Sequence, residues 1–233
     1  MKAIILAAGK ATRLQPLTKD TPQSLLKIGN KTILEMQLSI LNKCGIDDVV
    51  VVTGYLSDKI EDFAKGRKIK IRFNPFYSVS GILMSLWVAK EELRDGFIML
   101  YSDILFEESI VKLLLNDKHD ICLAIKKDCL REEAEKVCEK NNFITKIGKI
   151  DVDKPNAEFV GIAKLSKNGA NLFIQEIEEI ARKNLNAQFI DGIQAVIDNE
   201  IRISACDIRK AKFIDIDFEE DLQKAKNIFY NEV

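Results

Sequence analysis

The stretch "KAIILAAGKATRLQPLTKDTPQSLLKIGNKTILE" (residues 2–35) joins an apolar run, a glycine-containing loop and the start of an amphipathic segment. Residues 2–7 are almost continuously apolar and end before Gly9, which predicts a buried strand followed by a turn. Thr32 and Glu35 have the spacing of a capping box, which predicts that a helix begins here. A strand, a loop and a helix in this order form the first unit of a doubly wound α/β sheet.

The same alternation of short apolar runs and amphipathic segments continues through residue 127. It predicts parallel βαβ units in a Rossmann-like, doubly wound and mostly parallel sheet, followed by a C-terminal third of mixed topology. Residues 131–151 fit either a helix and a hairpin or three short strands. The predicted strands are 2–7, 47–54, 68–73, 96–103, 120–127, 158–166, 201–208 and 210–217, and the predicted helices are 32–45, 57–66, 80–93, 107–117, 168–184, 190–200 and 218–229.

The composition of the 233 residues is that of a globular protein, with 47% apolar residues, 30% charged residues and a net charge of −1. Lys and Arg are spread along the chain, so we expect no nucleic-acid or anionic-membrane surface. No apolar run approaches the roughly 18 residues of a membrane span, and the N-terminal run is too short for a signal peptide. We therefore expect a cytoplasmic protein. The spacing of the five cysteines matches no metal or redox motif, which predicts reduced thiols.

The glycine-containing loop lies where a doubly wound sheet binds its ligands, at the carboxyl end of the first strand. Gly9 permits close approach of a phosphate, and Arg13 can bind phosphate oxygens as a fork. Backbone N–H groups in the loop can add an anion site. The loop has neither the G-K-S/T of a Walker loop nor a G-x-G-x-x-G dinucleotide fingerprint. From these residues alone, a tight turn with a solvated arginine is an open alternative.

Five segments resemble the nucleotidyltransferases that make nucleotide-activated sugars and alcohols. The opening segment is similar to the family signature L-A-A-G-x-G-T/S-R-L, P-L-T, P-K-x-L and G-K-P-I/L-L-E, which is long and specific. The N-P-x-Y segment before S-L-W, the short chain and the I-D-I-D ending are most similar to the phosphocholine and phosphonate-associated cytidylyltransferases. The resemblance covers residues 1–127 well and 158–230 more loosely. Its segments are "ILAAGKATRLQPLTKDTPQSLLKIGNKTILE", "DDVVVVTGY", "FNPFYSVSGILMSLWVA", "FIMLYSDILF" and "FIDIDFEEDLQKAK".

The resemblance implies a single nucleotidyltransferase domain over 1–233, with a nucleotide-binding core at 1–127 and an acceptor-binding, metal-completing portion at 128–233. It implies Mg²⁺-dependent transfer of CMP from CTP, or of a nucleotide from another triphosphate, with release of pyrophosphate. The acceptor would be a small phosphorylated alcohol, amine or amino acid, or a phosphonate, as in synthesis of cell-surface polysaccharide or lipid precursors. A hexose-1-phosphate nucleotidyltransferase and a nucleotide-binding protein with reduced or no activity are the alternatives, and an oligomer is possible.

The metal would be held by carboxylates. By resemblance, Asp103 and Asp217 match the metal-binding pair of the family, with Asp215 in support. Hard carboxylate oxygens suit Mg²⁺. Asp215 and Asp217 share a face if one strand runs through both. The structural alternatives are a strand-end turn for Asp103 and a helix-capping role for Asp217 in "DFEE" (217–220).

The resemblance also implies where the nucleotide binds. The third predicted helix begins near Ser80, which is expected to cap it. Many cytidylyltransferases have asparagine where this chain has Gly81, and this departure bears on recognition of cytosine. Met84 and Trp87 are interpreted as core residues of that helix. The residues expected to bind the nucleotide are Leu6, Ala7, Ala8, Gly9, Arg13, Ser80 and Gly81.

Gln23 occupies the position of the family's phosphate-binding lysine. Glutamine donates a hydrogen bond but carries no charge, and loss of one such stabilising group typically lowers a rate by about 10²–10³. If 23–27 is extended, Lys27 lies roughly 13 Å away at ~3.3 Å per residue, too far to replace it. Ala11 replaces the family's second glycine, and alanine disfavours a positive φ. The expected catalytic residues are therefore Arg13, Gln23, Lys10 and Lys19, the lysines being possible substitutes in the same loop.

The acceptor pocket has no local signal in the sequence. A choline-type pocket would combine aromatic faces with carboxylates. The available aromatic residues are Tyr101, Phe106, Phe159 and Trp87, and Lys126 and Lys127 are candidates either for binding the acceptor's phosphate or for a solvated surface.

Overall fold

The computed structural model describes residues 1–127 and 130–229. The strands are β1 (Lys2–Ala7), β2 (Lys27–Ile28), β3 (Lys31–Thr32), β4 (Val49–Thr53), β5 (Ile69–Phe73), β6 (Phe97–Tyr101), β7 (Ile104–Phe106), β8 (Ile121–Lys127), β9 (Lys136–Lys140), β10 (Phe143–Gly148), β11 (Ala157–Leu165), β12 (Ile203–Asp207) and β13 (Phe213–Asp215). The helices are α1 (Ile33–Lys43), α2 (Ser57–Ala64), α3 (Ile82–Val88), α4 (Lys90–Leu93), α5 (Glu108–Asn116), α6 (Lys167–Lys183), α7 (Phe189–Asp198) and α8 (Glu219–Phe229).

Nine strands form one sheet in the order β5-β4-β1-β6-β11-β8-β12-β10-β9. The first four strands in this order, from β5 to β6, are parallel, which confirms the predicted βαβ units. The prediction of a mostly parallel sheet was wrong, because β11 inserts antiparallel between β6 and β8 and the β9–β10 hairpin is also antiparallel. β9 also pairs with β11, so the last five strands close into a small barrel.

The sheet is buried on both faces. Ile4 and Leu6 of β1 belong to the apolar cluster formed with α3, α6 and α7, whereas Ile5 belongs to the cluster formed with α1 and α5. This alternation explains why β1 is apolar throughout. The predicted capping box at the start of α1 is confirmed, since the Thr32 side chain accepts from the Glu35 N–H and Glu35 accepts from the Thr32 N–H.

Two predicted elements differ in the structure. The helix predicted over 80–93 is divided at Ala89 into α3 and α4, and Gly81, not Ser80, precedes the first helical residue. The Ser80 hydroxyl is buried without a hydrogen-bond partner among the described residues, so the prediction that it caps the helix was wrong. Within 131–151 the chain forms the β9–β10 hairpin of the first predicted alternative, but the helix predicted before it is not formed. Residues 128–129 lie outside the described ranges.

Across residues 1–127 and 130–229, no helix is both long and apolar enough to cross a bilayer.

Candidate active site

The glycine-containing loop leaves β1 at the carboxyl end of the parallel strands and returns to α1 through the β2–β3 hairpin. The backbone N–H of Tyr55, which follows β4, donates to the carbonyl of Ala8 at 3.1 Å. Leu14 and Leu26 anchor the loop in a small apolar cluster with Ile216 and Leu222 of the C-terminal segment. This cluster places the loop beside the residues that flank Ile216.

Ala11 adopts the left-handed conformation, with φ 47° and ψ 51°. The expectation that alanine would avoid a positive φ here was therefore wrong. The hydroxyl of Thr18 and the N–H of Leu14 both donate to the Ala11 carbonyl, at 2.8 and 3.1 Å. These contacts hold a conformation that costs a non-glycine residue roughly 1–2 kcal/mol.

Asp103, Asp215 and Asp217 lie together, each offering a carboxylate oxygen within 4.8 Å of the others. The antiparallel pair of β7 and β13 brings them together, because Asp215 is opposite Ile104 and the Ile216 N–H donates to the Asp103 carbonyl at 3.0 Å. β13 ends at Asp215, so the expected strand through Asp217 is not formed; the pairing with β7 produces the cluster instead.

The turn that carries Asp103 is held by Gln37, a buried residue of α1 that sequence reasoning missed. The Gln37 amide donates to the carbonyls of Tyr101 and Ile104, at 2.9 and 2.8 Å, on either side of Asp103. The available signal in the sequence was a glutamine flanked by apolar residues three and four positions away on both sides within the predicted helix. Asp103 thus lies in a strand-end turn, and this turn aims its carboxylate at the cluster.

The cluster has the properties of a cation site. One oxygen of Asp103, Oδ1, is buried without a hydrogen-bond partner among the described residues. Burial and the nearby charges of Asp215 and Asp217 raise the pKa of Asp103 well above its ordinary value. Burial and the charge of Asp217 raise the pKa of Asp215 to about 6. Three converging oxygens that repel one another fit a hard divalent cation such as Mg²⁺.

Two arginines approach the cluster from different parts of the chain. Arg13 of the glycine-containing loop forms an ion pair with Asp217. Arg131 lies 3.7 Å from Asp215 and forms a two-point contact with the fully buried Glu158. Arg131 was not among the predicted site residues, because 128–157 matches no recognised pattern.

The helix-capping alternative for Asp217 does not match the position of α8. The first helical residue is Glu219, which makes Phe218 the preceding position, and the Phe218 N–H donates to the Asp221 carboxylate at 3.1 Å. The Asp217 carboxylate instead lies in the acidic cluster and pairs with Arg13.

Gln23 lies beside the acidic cluster, and its amide donates to the carbonyl of Ile216. Residues Gln23–Leu25 form a 3-10 turn, so the premise of an extended chain from 23 to 27 was wrong. Lys10 and Lys19 are exposed, the Lys10 ammonium lying 6.0 Å from the Tyr77 ring. Their catalytic roles stay predictions.

A cavity of about 90 Å³ lies between the loop and the carboxyl ends of β1 and β6. Four of the residues expected to bind the nucleotide line it, together with Gln23 and Asp103, and these four are Leu6, Ala7, Ala8 and Gly9. Ser24 also lines it, and the Ser24 hydroxyl is buried without a partner among the described residues.

The presence of glycine at position 81 has a steric explanation that the sequence did not reveal. A Cβ atom at this position would lie 2.2 Å from the Ala187 carbonyl oxygen and 2.4 Å from that of Asn186. The Gly81 N–H donates to the Leu185 carbonyl at 2.8 Å. The backbone between α6 and α7 therefore occupies the space that an asparagine side chain at position 81 would need.

A buried group of aromatic residues around Glu135 lies next to the acidic cluster. The Tyr101 hydroxyl donates to Glu135, at 3.1 and 3.2 Å from its two oxygens, and the Tyr101 ring packs edge-on against Phe159. Burial raises the pKa of Glu135 to about 7, although the hydrogen bond from Tyr101 opposes the shift. Phe189 stacks on Phe159 behind them.

Other acceptor candidates lie elsewhere. Phe106 is in the core between the sheet and α1, and Trp87 lines a surface groove with Phe76. Met84 is buried, which confirms its core assignment, whereas Trp87 is only half-buried. Lys127 pairs with Glu139 at 2.7 Å, and Lys126 lies over the Phe213 ring.

Comparison with known proteins identifies relatives of the chain. The family model described as "MobA-like NTP transferase domain" matches residues 3–140. The chain is 28% identical to CTP:phosphoglutamine cytidylyltransferase of Campylobacter jejuni, over 96% of this chain and 98% of that protein. It is 36% identical to choline-phosphate cytidylyltransferase of Streptococcus pneumoniae, over 46% of this chain and 47% of that protein.

Solved structures share the fold. A CTP:phosphocholine cytidylyltransferase from Streptococcus pneumoniae superimposes with a TM-score of 0.80 at 23% identity, covering 98% of each chain. The inositol-1-phosphate CTP transferase from T. maritima gives a TM-score of 0.85 at 24% identity, covering 98% of this chain and 94% of that one.

Proposed function

The chain belongs to the MobA-like NTP transferase domain family, and on that premise we propose that it transfers CMP from CTP to a small phosphorylated or phosphonate acceptor. The observation that carries the proposal is the cluster of Asp103, Asp215 and Asp217 beside the glycine-containing loop and Arg13. The names of relatives that use CTP support the choice of nucleotide.

In this reaction, an oxygen of the acceptor's phosphate or phosphonate attacks the α-phosphorus of the triphosphate. A new P–O bond forms, and the bond to the leaving pyrophosphate breaks. Such a transfer depends on positioning and charge neutralisation and needs no covalent nucleophile on the protein. Mg²⁺, when bound by Asp103 and Asp217 with Asp215, supplies positive charge next to the phosphates.

The chain's own groups bind and orient the triphosphate. Gly9 has no heavy atom within 4 Å of the position of a Cβ, so a phosphate can approach the backbone of the loop closely. Arg13 presents its guanidinium at the acidic cluster, where a fork of N–H donors suits phosphate oxygens. Leu6 and Ala8 line the cavity in which we place the base and ribose.

For the acceptor, we favour the members of this class that carry an amine or amide. Glu135 and Tyr101 supply a carboxylate and a hydroxyl next to Asp215, among aromatic side chains. A carboxylate beside aromatic faces stabilises a cationic or hydrogen-bond-donating group. This arrangement suits an alkylamine or amino-acid phosphate better than a hexose phosphate, whose hydroxyl groups carry no charge.

A second candidate is a nucleotide-binding protein of reduced activity. The uncharged Gln23 favours it, because its amide is already bonded to the Ile216 carbonyl. The cluster of three carboxylates favours the active enzyme. Their mutual repulsion is unfavourable, and a protein that only binds nucleotide does not require such an arrangement.

The test is pyrophosphate release with Mg²⁺. CTP, UTP, GTP, ATP and dTTP are each combined with phosphocholine, 2-aminoethylphosphonate, phosphorylated amino-acid amides, glycerol phosphate and glucose-1-phosphate. We expect release with CTP and an amine- or amide-bearing acceptor. Asp103→Asn should abolish it, whereas Asp151→Asn, at an exposed position outside the cluster, should not.

Other outcomes have defined meanings. Release only with glucose-1-phosphate would exclude the small-acceptor assignment. Triphosphate binding measured by calorimetry, without pyrophosphate release in any combination, would favour the reduced-activity candidate. Glu135→Gln should raise the KM for the amine acceptor while leaving the KM for CTP unchanged, and equal changes in both would refute the acceptor role of Glu135.

A further inference from the structure

A second cluster of potential metal ligands lies outside the active site. The Sγ atoms of Cys122 and Cys206 and a carboxylate oxygen of Asp117 all lie within 4.8 Å of one another. Cys122 is on β8, Cys206 is on the adjacent parallel strand β12, and Asp117 follows α5. The two cysteines are 0% and 8% exposed, and the Asp117 side chain is 15% exposed. Three separate segments therefore converge on one point.

One distance within this cluster matches the spacing of ligand atoms around a bound zinc ion, and one is shorter. The Asp117 Oδ2 atom lies 3.6 Å from Cys206 Sγ, and ligand atoms around tetrahedral zinc lie roughly 3.3–3.8 Å apart. The two sulfur atoms are 2.7 Å apart, closer than the roughly 3.5–4.0 Å of ordinary non-bonded contacts. Binding of one zinc ion by all three atoms requires the two sulfurs to move apart by about 1 Å.

The surroundings hold the third ligand in place. The ring nitrogen Nδ1 of His119 lies 3.0 Å from Asp117 Oδ1, and the Ser204 hydroxyl donates to Asp117 Oδ2 at 2.9 Å. Carboxylates that bind metals are commonly held by such hydrogen bonds. The buried Lys164 ammonium donates to the carbonyls of Asp117 and His119, at 2.7 and 3.0 Å, which brings positive charge to the cluster.

This cluster is remote from the acidic cluster at Asp103. β8 runs in the same direction as β6, because both are antiparallel to β11. Asp103 follows the carboxyl end of β6. Cys122 is the second residue of β8 and therefore lies near the amino ends of these strands. The donor sets also differ, since thiolates favour a soft ion and carboxylates alone favour Mg²⁺.

We propose that Cys122, Cys206 and Asp117 bind one Zn²⁺ ion, with His119 orienting Asp117. On binding, both thiols release their protons to solvent and ligate the ion as thiolates. Zinc and three anionic ligands carry a net charge of −1, which the Lys164 ammonium offsets. Three protein ligands leave one of the four positions of a tetrahedral zinc ion to a water molecule. The ion ties the α5–β8 turn to β12, away from the residues of the proposed nucleotidyl transfer.

The experiment uses the full chain, purified with a thiol reductant and then freed of metal. Co²⁺ is the first probe, because a thiolate ligand produces a charge-transfer absorption that carboxylate ligands do not. We expect this absorption to saturate at one equivalent of Co²⁺ and to be displaced by Zn²⁺. Cys206→Ala should abolish it, whereas Cys44→Ala, which removes a half-exposed thiol elsewhere, should leave it unchanged.

Two further measurements keep the inference testable if a cysteine variant does not fold. In urea below the unfolding transition, where local opening exposes the buried thiols, Zn²⁺ should slow the alkylation of Cys122 and Cys206 in the unmodified chain, read by mass spectrometry, while Cys44 stays reactive. His119→Ala should weaken Zn²⁺ binding by roughly 10–100-fold while the thiolate absorption persists.

Three results would overturn the zinc site. The first is Co²⁺ binding without thiolate absorption. The second is equal Zn²⁺ content in the unmodified chain and in Cys206→Ala. The third is a Cys122–Cys206 disulfide that persists in the presence of the thiol reductant and prevents metal binding.

Discussion

The guanidinium of Arg13 forms an ion pair with the carboxylate of Asp217, although 204 positions separate the two residues along the chain. The contact joins the glycine-containing loop to the acidic cluster. It follows from packing next to it, because Leu14 and Ile216 lie in the same apolar cluster. A residue proposed to bind phosphate and a residue proposed to bind metal are thus brought together by their apolar neighbours.

Arg13→Gln should lower kcat/KM for the triphosphate by about 10²–10³, since a charged donor at the reacting phosphates is lost. Arg13→Lys should recover only part of this loss, because an ammonium lacks the planar fork. Unfolding by urea should change little for either variant, as the ion pair is half-exposed. Steady-state kinetics with pyrophosphate detection measures the effect, and equal rates for all three proteins would contradict it.

Gln23→Lys should leave activity similar or raise it. A lysine at this position can still donate to the Ile216 carbonyl, and it adds the positive charge of the family signature. The measurement is kcat at saturating triphosphate, with Gln15→Lys, an exposed loop position, as the matched charge control. A large fall in kcat for Gln23→Lys alone would show that the glutamine has a specific role of its own.

Ala11→Gly should stabilise the protein by up to about 1 kcal/mol, because glycine accepts the positive φ without steric cost. Gly45→Ala is the matched variant, and it should destabilise the protein. Its φ is 76° and a Cβ there would meet nothing within 4 Å, so any loss comes from the backbone alone. Urea denaturation compares the two, and stabilisation by both variants would contradict the reasoning.

The stability of the fold should depend on pH through Glu92, which is 6% exposed. Burial raises its pKa, but hydrogen bonds from Lys2, Lys70 and Arg72 outweigh burial and lower the pKa from 4.5 to about 2. The carboxylate therefore stabilises the folded state fully above pH 4.5, and this contribution falls as the pH drops from about 4.5 towards 2. A shift of this size corresponds to about 3 kcal/mol.

The measurement is the urea midpoint of the unmodified chain and of Glu92→Gln between pH 7 and pH 3. The difference between them should shrink as the pH falls. Glu91→Gln removes an exposed partner of Arg94 and should change the midpoint little at any pH. A difference for Glu92→Gln that does not vary with pH would contradict the assignment.

The elements that the sequence predicted correctly are those that depend on neighbours along the chain. β1 is a buried run, and the start of α1 depends on Thr32 and Glu35, three residues apart. Asp103, Asp215 and Asp217 were candidates because their motifs resemble a known family, and the structure brings all three together. Ser80 was predicted wrongly, because the backbone between α6 and α7 packs on Gly81 and sets where α3 begins.

By itself, then, the sequence determined the parallel βαβ half, the glycine-containing loop and the acidic residues that follow strands, because strand, helix and turn preferences act over a few residues. Only the tertiary structure decided that β11 inserts beside β6, that Glu135 meets Tyr101, and that Cys122 meets Cys206. Such contacts join residues whose separation along the chain carries no local signal, and the packing of the whole core selects them.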